Sequence, residues 1–175
     1  MLVVGGSLGA RTINNSVDKH LKVFKENNYQ VIWQTGKLYG DKAYEASREI
    51  NYEGIKVHQF IDRMDLAYAV ANIVVSRAGA MSVSEICLTA KPAILIPSPN
   101  VAEDHQTKNA KALSTKNAAI LLPDNEAEEK LADEIKNLLE NEEKQNALSA
   151  NAAKMAHENA AEKIADEVIK LAMKK

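Results

Sequence analysis

Short runs of β-forming residues alternate with longer stretches of helical periodicity along almost the whole sequence. This alternation constrains the fold more than any other feature. Parallel strands need a crossover between them, and a helix is the usual one. The alternation therefore predicts a Rossmann-like, doubly wound α/β domain with a parallel sheet of about six strands. Right-handed crossovers leave few topologies, and the default strand order is 3-2-1-4-5-6.

The runs can be read one by one. Leu2–Val4 leads into Gly5-Gly6, and a helix follows from about Arg11 to Glu26, with Ile13, Val17, Leu21 and Phe24 on one face. Gln30–Thr35 reads as a strand stopped by Gly36, then Tyr39–Ile50 as a helix and Ile55–Phe60 as a strand. Met64–Val70 is a short helix, and Ile73–Ser76 is a strand ended by Arg77-Ala78-Gly79. Met81–Thr89 is helical, Pro92–Ile96 is a strand closed by Pro97 and Pro99, Asp104–Ser114 is helical and Ala118–Leu122 is the last strand.

From Glu126 the chain reads as helical to its end, with breaks near Asn141 and Asn159. Leu131, Ile135, Leu138 and Leu139 mark one buried stripe, and Ile164, Val168 and Leu171 another. Residues 1–175 are thus expected to form one domain, with 124–175 as extra C-terminal helices. A strand-like run at the first residue suggests a piece of a longer protein.

A net charge of -2 and the lack of a long basic cluster argue against nucleic acid and against a polybasic membrane anchor. No stretch approaches the ~18 apolar residues that span a bilayer. Cys87 is the single cysteine, so no internal disulfide forms. There is no convincing Asp-x-Asp or His/Cys ligand cluster, so neither a metal nor another cofactor is expected.

Ligands of open parallel sheets bind beyond the carboxyl ends of the strands, where strand order reverses. In the predicted order the loops at that point are Gly5-Gly6-Ser7-Leu8-Gly9 and Ser76-Arg77-Ala78-Gly79-Ala80. Both are small-residue loops running into helix starts, which suits an anion. Either loop alone is equally well read as a tight βα turn.

Three nucleotide classes compete for such a cradle. A dinucleotide fingerprint fails, because Ser7 and Ala10 stand where glycines are needed and strand two ends in Gln34-Thr35 without an acid. A P-loop fails, because Gly36-Lys37 is followed by Leu38 and lacks the upstream glycine. A nucleoside diphosphate-sugar remains. It needs phosphate donors, a carboxylate for the ribose diol and polar groups for the sugar. Glu85, on the helix after strand four, is the candidate carboxylate, although an isolated helix glutamate is usually just solvated. Asp104-His105-Gln106, after strand five, combines an ordinary N-cap in Asp104 with polar groups in the first turn. His105 alone reads more simply as an exposed polar residue at a helix start.

Four spaced segments together resemble a known family. They are Gly5-Gly6-Ser7-Leu8-Gly9-Ala10-Arg11 with Asn14, Phe60-Ile61-Asp62 with Met64, Ser76 through Glu85, and Asp104 through Ala110. Their order and spacing are similar to the C-terminal domain of the bacterial peptidoglycan N-acetylglucosaminyltransferases, in the GT-B glycosyltransferase superfamily. The resemblance implies two Rossmann-like domains with the active site between them. The C-terminal domain would bind UDP-N-acetylglucosamine (UDP-GlcNAc). An N-terminal domain outside this sequence would bind the lipid-linked muramyl-pentapeptide acceptor and supply the general base, leaving no catalytic residue here.

By position, the resemblance places Ser7 on the diphosphate, the Ile61 backbone on uracil, and Ala80, Met81, Ser82, Val83, Ser84 and Glu85 around the nucleotide. Glu85 would take the ribose and Gln106 the sugar. Gly6, Phe60, Met64, Arg77, Gly79, His105 and Asn109 would complete the surroundings. It also implies an inverting enzyme converting lipid I to lipid II, peripheral on the cytoplasmic face of the inner membrane. Alternatives are a stand-alone donor-binding subunit of a two-chain transferase, a UDP-GlcNAc 2-epimerase relative, and a non-catalytic Rossmann-like interaction module. If the last helix packs on a missing domain, its stripe would be bare here and would drive self-association.

Overall fold

A computed structural model describes residues 1–173. Six strands form one sheet in the order β3-β2-β1-β4-β5-β6, with every neighbouring pair parallel. They are β1 (Leu2–Val4), β2 (Val31–Gln34), β3 (Ile55–His58), β4 (Val74–Ser76), β5 (Ala93–Leu95) and β6 (Ile120–Leu121). This is the order expected from the alternation. The strands are shorter than their apolar runs; Thr35 and Ile96 lie just beyond β2 and β5 and still donate to the His58 and Ser76 carbonyls, each at 2.9 Å.

The two faces of the sheet bury separate clusters. On one face α1 (Arg11–Glu26), α2 (Gly40–Ile50) and α6 (Asp124–Leu139) pack against Val3, Trp33, Val57, Val75 and Ile94. On the other, α3 (Met64–Val70), α4 (Ala80–Leu88) and α5 (His105–Ser114) pack against Leu2, Val4, Val74 and Leu95. Successive strand side chains point to opposite faces, so Val3 enters one cluster while Leu2 and Val4 enter the other. With both faces covered, β1, β4 and β5 are buried at every position, as near-continuous apolar runs require.

The C-terminal helices do not behave alike. Leu131, Ile135 and Leu138 of α6 are fully buried, and α7 (Glu142–Ala153) buries Leu148 and Ala152. These two helices belong to the core. In α8 (Ala160–Met173) no residue is buried, and Ile164, Val168 and Leu171 are 65%, 59% and 69% exposed. The stripe read as buried in the sequence is bare, because no other described element covers it.

One polar contact positions the first two loops. Asn14, 1% exposed on α1, donates from Nδ2 to the Thr35 carbonyl at 2.8 Å and accepts from Trp33 Nε1 at 3.0 Å. The side chain thereby satisfies two buried groups at the end of β2 and clamps the β2–α2 loop against α1. Gly9 and Gly36 fit into the same contact, each with φ above +70° and with no room for a Cβ against the other loop's backbone.

Candidate functional site

Register decides which loops are neighbours. Val4 pairs with Gln34 on one side and with Ser76 on the other, and Ser76 pairs with Leu95. The loops after β1, β4 and β5 therefore leave the carboxyl edge side by side, and the reversal of strand order lies between β1 and β4. The two small-residue loops singled out in the sequence flank that point.

The helices they lead into share with α5 a first turn that holds no acidic residue and an N-cap that makes no side-chain bond. The N-caps of α1 and α4 are Ala10 and Gly79; neither gives a side-chain cap, and neither first turn carries an acid. By contrast α2, α3, α6, α7 and α8 all have an aspartate or glutamate in the first turn. First-turn N–H groups point out of a helix and attract anions. At the switch point they have been left without any negative side chain of their own. Ser7 is exposed in the loop before α1, in a turn closed by the Gly9 N–H to the Gly6 carbonyl at 3.0 Å. Ala80 and Met81 are exposed at the start of α4, Ser82 and Val83 are half-buried, and Ser84 is exposed.

Glu85 is half-buried on α4. Its Oε2 accepts a hydrogen bond from the Tyr68 hydroxyl of α3 at 3.0 Å. Tyr68 is 3% exposed; burial, with the Glu85 charge beside it, pushes the phenol above its ordinary pKa and keeps it a donor. Tyr68 escaped the sequence reading because it sits on the apolar face of a seven-residue helix and looks like core. The available signal was its hydroxyl, which needs a partner when buried.

The loop preceding α3 carries Phe60, 58% exposed, and Ile61, which packs with Met64 and Val83 on the cluster that holds Tyr68. Among the described residues, neither the N–H nor the carbonyl of Ile61 enters a hydrogen bond. That backbone edge is free to read a planar polar ligand.

Three residues have partners that the sequence did not indicate. Arg77 forms an ion pair with Asp124 at the start of α6 and donates to the Ile96 carbonyl at 3.1 Å. Its guanidinium thus ties β4, β5 and α6 together. Asn109 Nδ2 donates to the Ala78 carbonyl at 3.0 Å and holds α5 to the β4–α4 loop. Gln106 Oε1 accepts from the Ser98 N–H at 2.9 Å, which folds the β5–α5 loop back on its own helix.

The expectation for Asp104 is corrected. It precedes α5 but makes no capping bond, because its backbone is left-handed at φ 52°, as is that of Glu103. A 3-10 turn, Ala102–Asp104, lies just before α5, and His105 Nδ1 contacts the Ala102 carbonyl at 2.8 Å. A side-chain cap needs an extended backbone at that position, and the turn denies it.

The candidate loops lie along the carboxyl edge of the sheet. A cavity of about 470 Å³ lies at the opposite, amino end of the strands, lined by Gln30, Tyr52, Glu53, Lys56 and Asn72 among others. It touches none of the candidate residues. Among the described residues no cluster of His, Cys, Asp and Glu is arranged to hold a metal, and no helix is long and apolar enough to cross a membrane.

Known proteins share this arrangement. The model of the glycosyltransferase family 28 C-terminal domain matches residues 1–166. A Bacteroides thetaiotaomicron protein is 54% identical over 174 residues, covering 98% of this chain and 47% of its own length. It is named UDP-N-acetylglucosamine--N-acetylmuramyl-(pentapeptide) pyrophosphoryl-undecaprenol N-acetylglucosamine transferase. A Porphyromonas gingivalis protein of the same name is 52% identical over 173 residues, covering 98% of this chain and 45% of its own length. The crystal structure of Acinetobacter baumannii MurG superposes with a TM-score of 0.80 at 28% identity, over 97% of this chain and 49% of that one. The chain thus spans about half the length of the curated relatives it matches. Its strand order, GT-B-type Rossmann-like sheet and nearly end-to-end family match agree, and the chain belongs to the glycosyltransferase family 28 C-terminal domains.

Proposed function

We propose that this chain is the UDP-GlcNAc-binding half of an inverting transferase. That enzyme adds GlcNAc to undecaprenyl-pyrophosphoryl-MurNAc-pentapeptide, converting lipid I to lipid II in peptidoglycan synthesis. One observation carries the reading. Two adjacent helix N-termini, without caps or first-turn acids, open at the switch point next to the half-buried carboxylate of Glu85. The names of the relatives support the choice of sugar and acceptor.

In this reading residues 1–175 are one donor domain, and the second wall of the cleft belongs to the rest of the polypeptide. Ser7 and the first turn of α1 receive the diphosphate, together with Ala80, Met81 and Ser82 of α4. The free backbone edge of Ile61 reads uracil. Glu85 accepts from the ribose diol, and Gln106 turns its amide to the sugar. As the glycosidic bond breaks, UDP gains negative charge, and the two helix ends stabilise it most at the transition state. A general base for the acceptor hydroxyl comes from the other half, so the chain binds donor without transferring it. The complete enzyme sits on the cytoplasmic face of the membrane, where its lipid acceptor is held.

Calorimetric titration tests this. Saturable binding of UDP-GlcNAc, weaker binding of UDP-glucose and none of NAD are the expected results. Equal binding of NAD, or no UDP-sugar binding by either the chain or the full-length protein, would sink the reading.

The exposed stripe of α8 fits the same division of labour. It docks on the other half of the polypeptide, and in the isolated chain it pairs with a second copy. Sedimentation should show concentration-dependent oligomers that Ile164→Asp returns to monomer. A profile that Ile164→Asp leaves unchanged would refute the pairing.

A further inference from the structure

We propose that Tyr68 is a positioning residue for ribose recognition, holding Glu85 Oε2 so that Oε1 is presented to the ribose hydroxyls. The inference rests on the UDP-sugar reading above and extends it to a residue outside all four motif segments.

The geometry supports it from three directions. The first is rigidity. A glutamate side chain has three rotatable bonds, and ordering it costs rotamer entropy. Tyr68, buried on α3, spans the gap to α4 and fixes Oε2 at 3.0 Å. Glu85 is therefore ordered by the fold before any ligand arrives, which lowers the cost of binding.

The second is the division of lone pairs. An ionised carboxylate is an acceptor only, with about four lone-pair sites. Tyr68 occupies one of them on Oε2, and among the described residues Oε1 takes no side-chain hydrogen bond. What remains matches the two donors of a cis-diol. The phenol stays protonated, because burial and the neighbouring charge both oppose its ionisation, so the arrangement does not reverse at physiological pH.

The third is connectivity. Tyr68 lies on the helix that follows the Phe60–Arg63 loop, and Ile61 and Met64 pack in the same cluster as Tyr68 and Ile86. One short helix thus carries both the loop assigned to the base and the hydroxyl that orients the ribose acceptor. A buried tyrosine that only needed its hydroxyl satisfied would be served by any neighbouring backbone carbonyl. This one bonds instead to a half-buried carboxylate near the carboxyl edge.

The experiment measures dissociation constants for UDP, 2′-deoxy-UDP and CDP by calorimetry on the full-length protein. The forms compared are wild type, Tyr68→Phe, Glu85→Gln and the double variant. Phenylalanine keeps the ring packing, and circular dichroism with thermal unfolding verifies the fold of each variant. Wild type should prefer UDP to 2′-deoxy-UDP by on the order of tenfold or more, as expected for a hydrogen bond to a charged acceptor. Tyr68→Phe should shrink that ratio to roughly threefold, while the UDP-to-CDP ratio stays as in wild type. In the Glu85→Gln background, removing the Tyr68 hydroxyl should change the ribose ratio no further. A ribose ratio unchanged by Tyr68→Phe overturns the proposal, even if overall affinity falls. So does an equal drop of the ribose and base ratios, which marks general loosening of the site. Wild-type protein that fails to bind UDP, or that ignores the 2′-hydroxyl, removes the nucleotide reading itself and this proposal with it.

Discussion

Gly9→Ala will destabilise the protein by about 3 kcal/mol or more, while Gly6→Ala will cost only about 1 kcal/mol. The two glycines share one backbone conformation, each with φ of 80°, so the left-handed penalty for alanine is the same at both. They differ in what a Cβ would meet. At Gly6 there is nothing within 4 Å, whereas at Gly9 the new atom would overlap the Thr35 carbonyl oxygen.

That oxygen has nowhere to go. Thr35 is fully buried, its N–H bonds to the His58 carbonyl at 2.9 Å, and its carbonyl accepts from Asn14. Relief would require breaking the Asn14 bond or moving the end of β2. Urea denaturation measures the difference as a lower midpoint for Gly9→Ala at unchanged slope. Equal losses at Gly6 and Gly9 would mean that local conformation alone sets the cost and that the two loops do not interlock.

Glu85→Ala will weaken UDP binding by on the order of tenfold to a hundredfold, with a modest loss of stability. A hydrogen bond from a ribose hydroxyl to a carboxylate contributes about 1.5–3 kcal/mol, more than a neutral one. Glu85 is only half-buried, so the main stability loss is the partner of the buried Tyr68 hydroxyl, about 1–3 kcal/mol. Calorimetry with UDP reads the first effect, and thermal unfolding of the same samples reads the second. Unaltered UDP affinity would remove Glu85 from the ribose and leave it as the partner of Tyr68 only.

The legible parts of this protein are those set by local chemistry. Val3 and Val4 followed by Gly5-Gly6, or Val74–Ser76 followed by a small-residue loop, announce a buried strand and a tight turn before any partner is known. The spacing of Ile13, Val17, Leu21 and Phe24 announces the face that α1 buries, and all four residues are buried. From such elements the parallel sheet, its strand order and the switch point follow by topology rules. Topology rules bring the loops after β1 and β4 to the switch point, whereas the Phe60 segment and the set of four were read from the resemblance to a known family.

Other features depend on which groups meet in space. Arg77 sits in a glycine-containing loop beside the candidate phosphate cradle, yet it pairs with Asp124, a residue 47 positions away. Nothing local to either residue indicates the other. Asp104 has the side chain of a good cap, but the turn that begins at Ala102 twists its backbone away from the capping geometry. The stripe of Ile164, Val168 and Leu171 has the same periodicity as that of Leu131, Ile135 and Leu138, and one is bare while the other is fully buried. Periodicity encodes a face that favours burial; whether a partner surface is present depends on the surrounding structure.

Order of elements, class of fold and position of the ligand edge were thus written in hydrophobic period and turn chemistry, which act over a few residues. The interlock of Gly9 with Gly36, the Arg77–Asp124 pair and the grip of Tyr68 on Glu85 arise only when the sheet brings distant segments together. Long-range contacts of polar and backbone groups are specified by distance and angle, and a linear pattern carries neither.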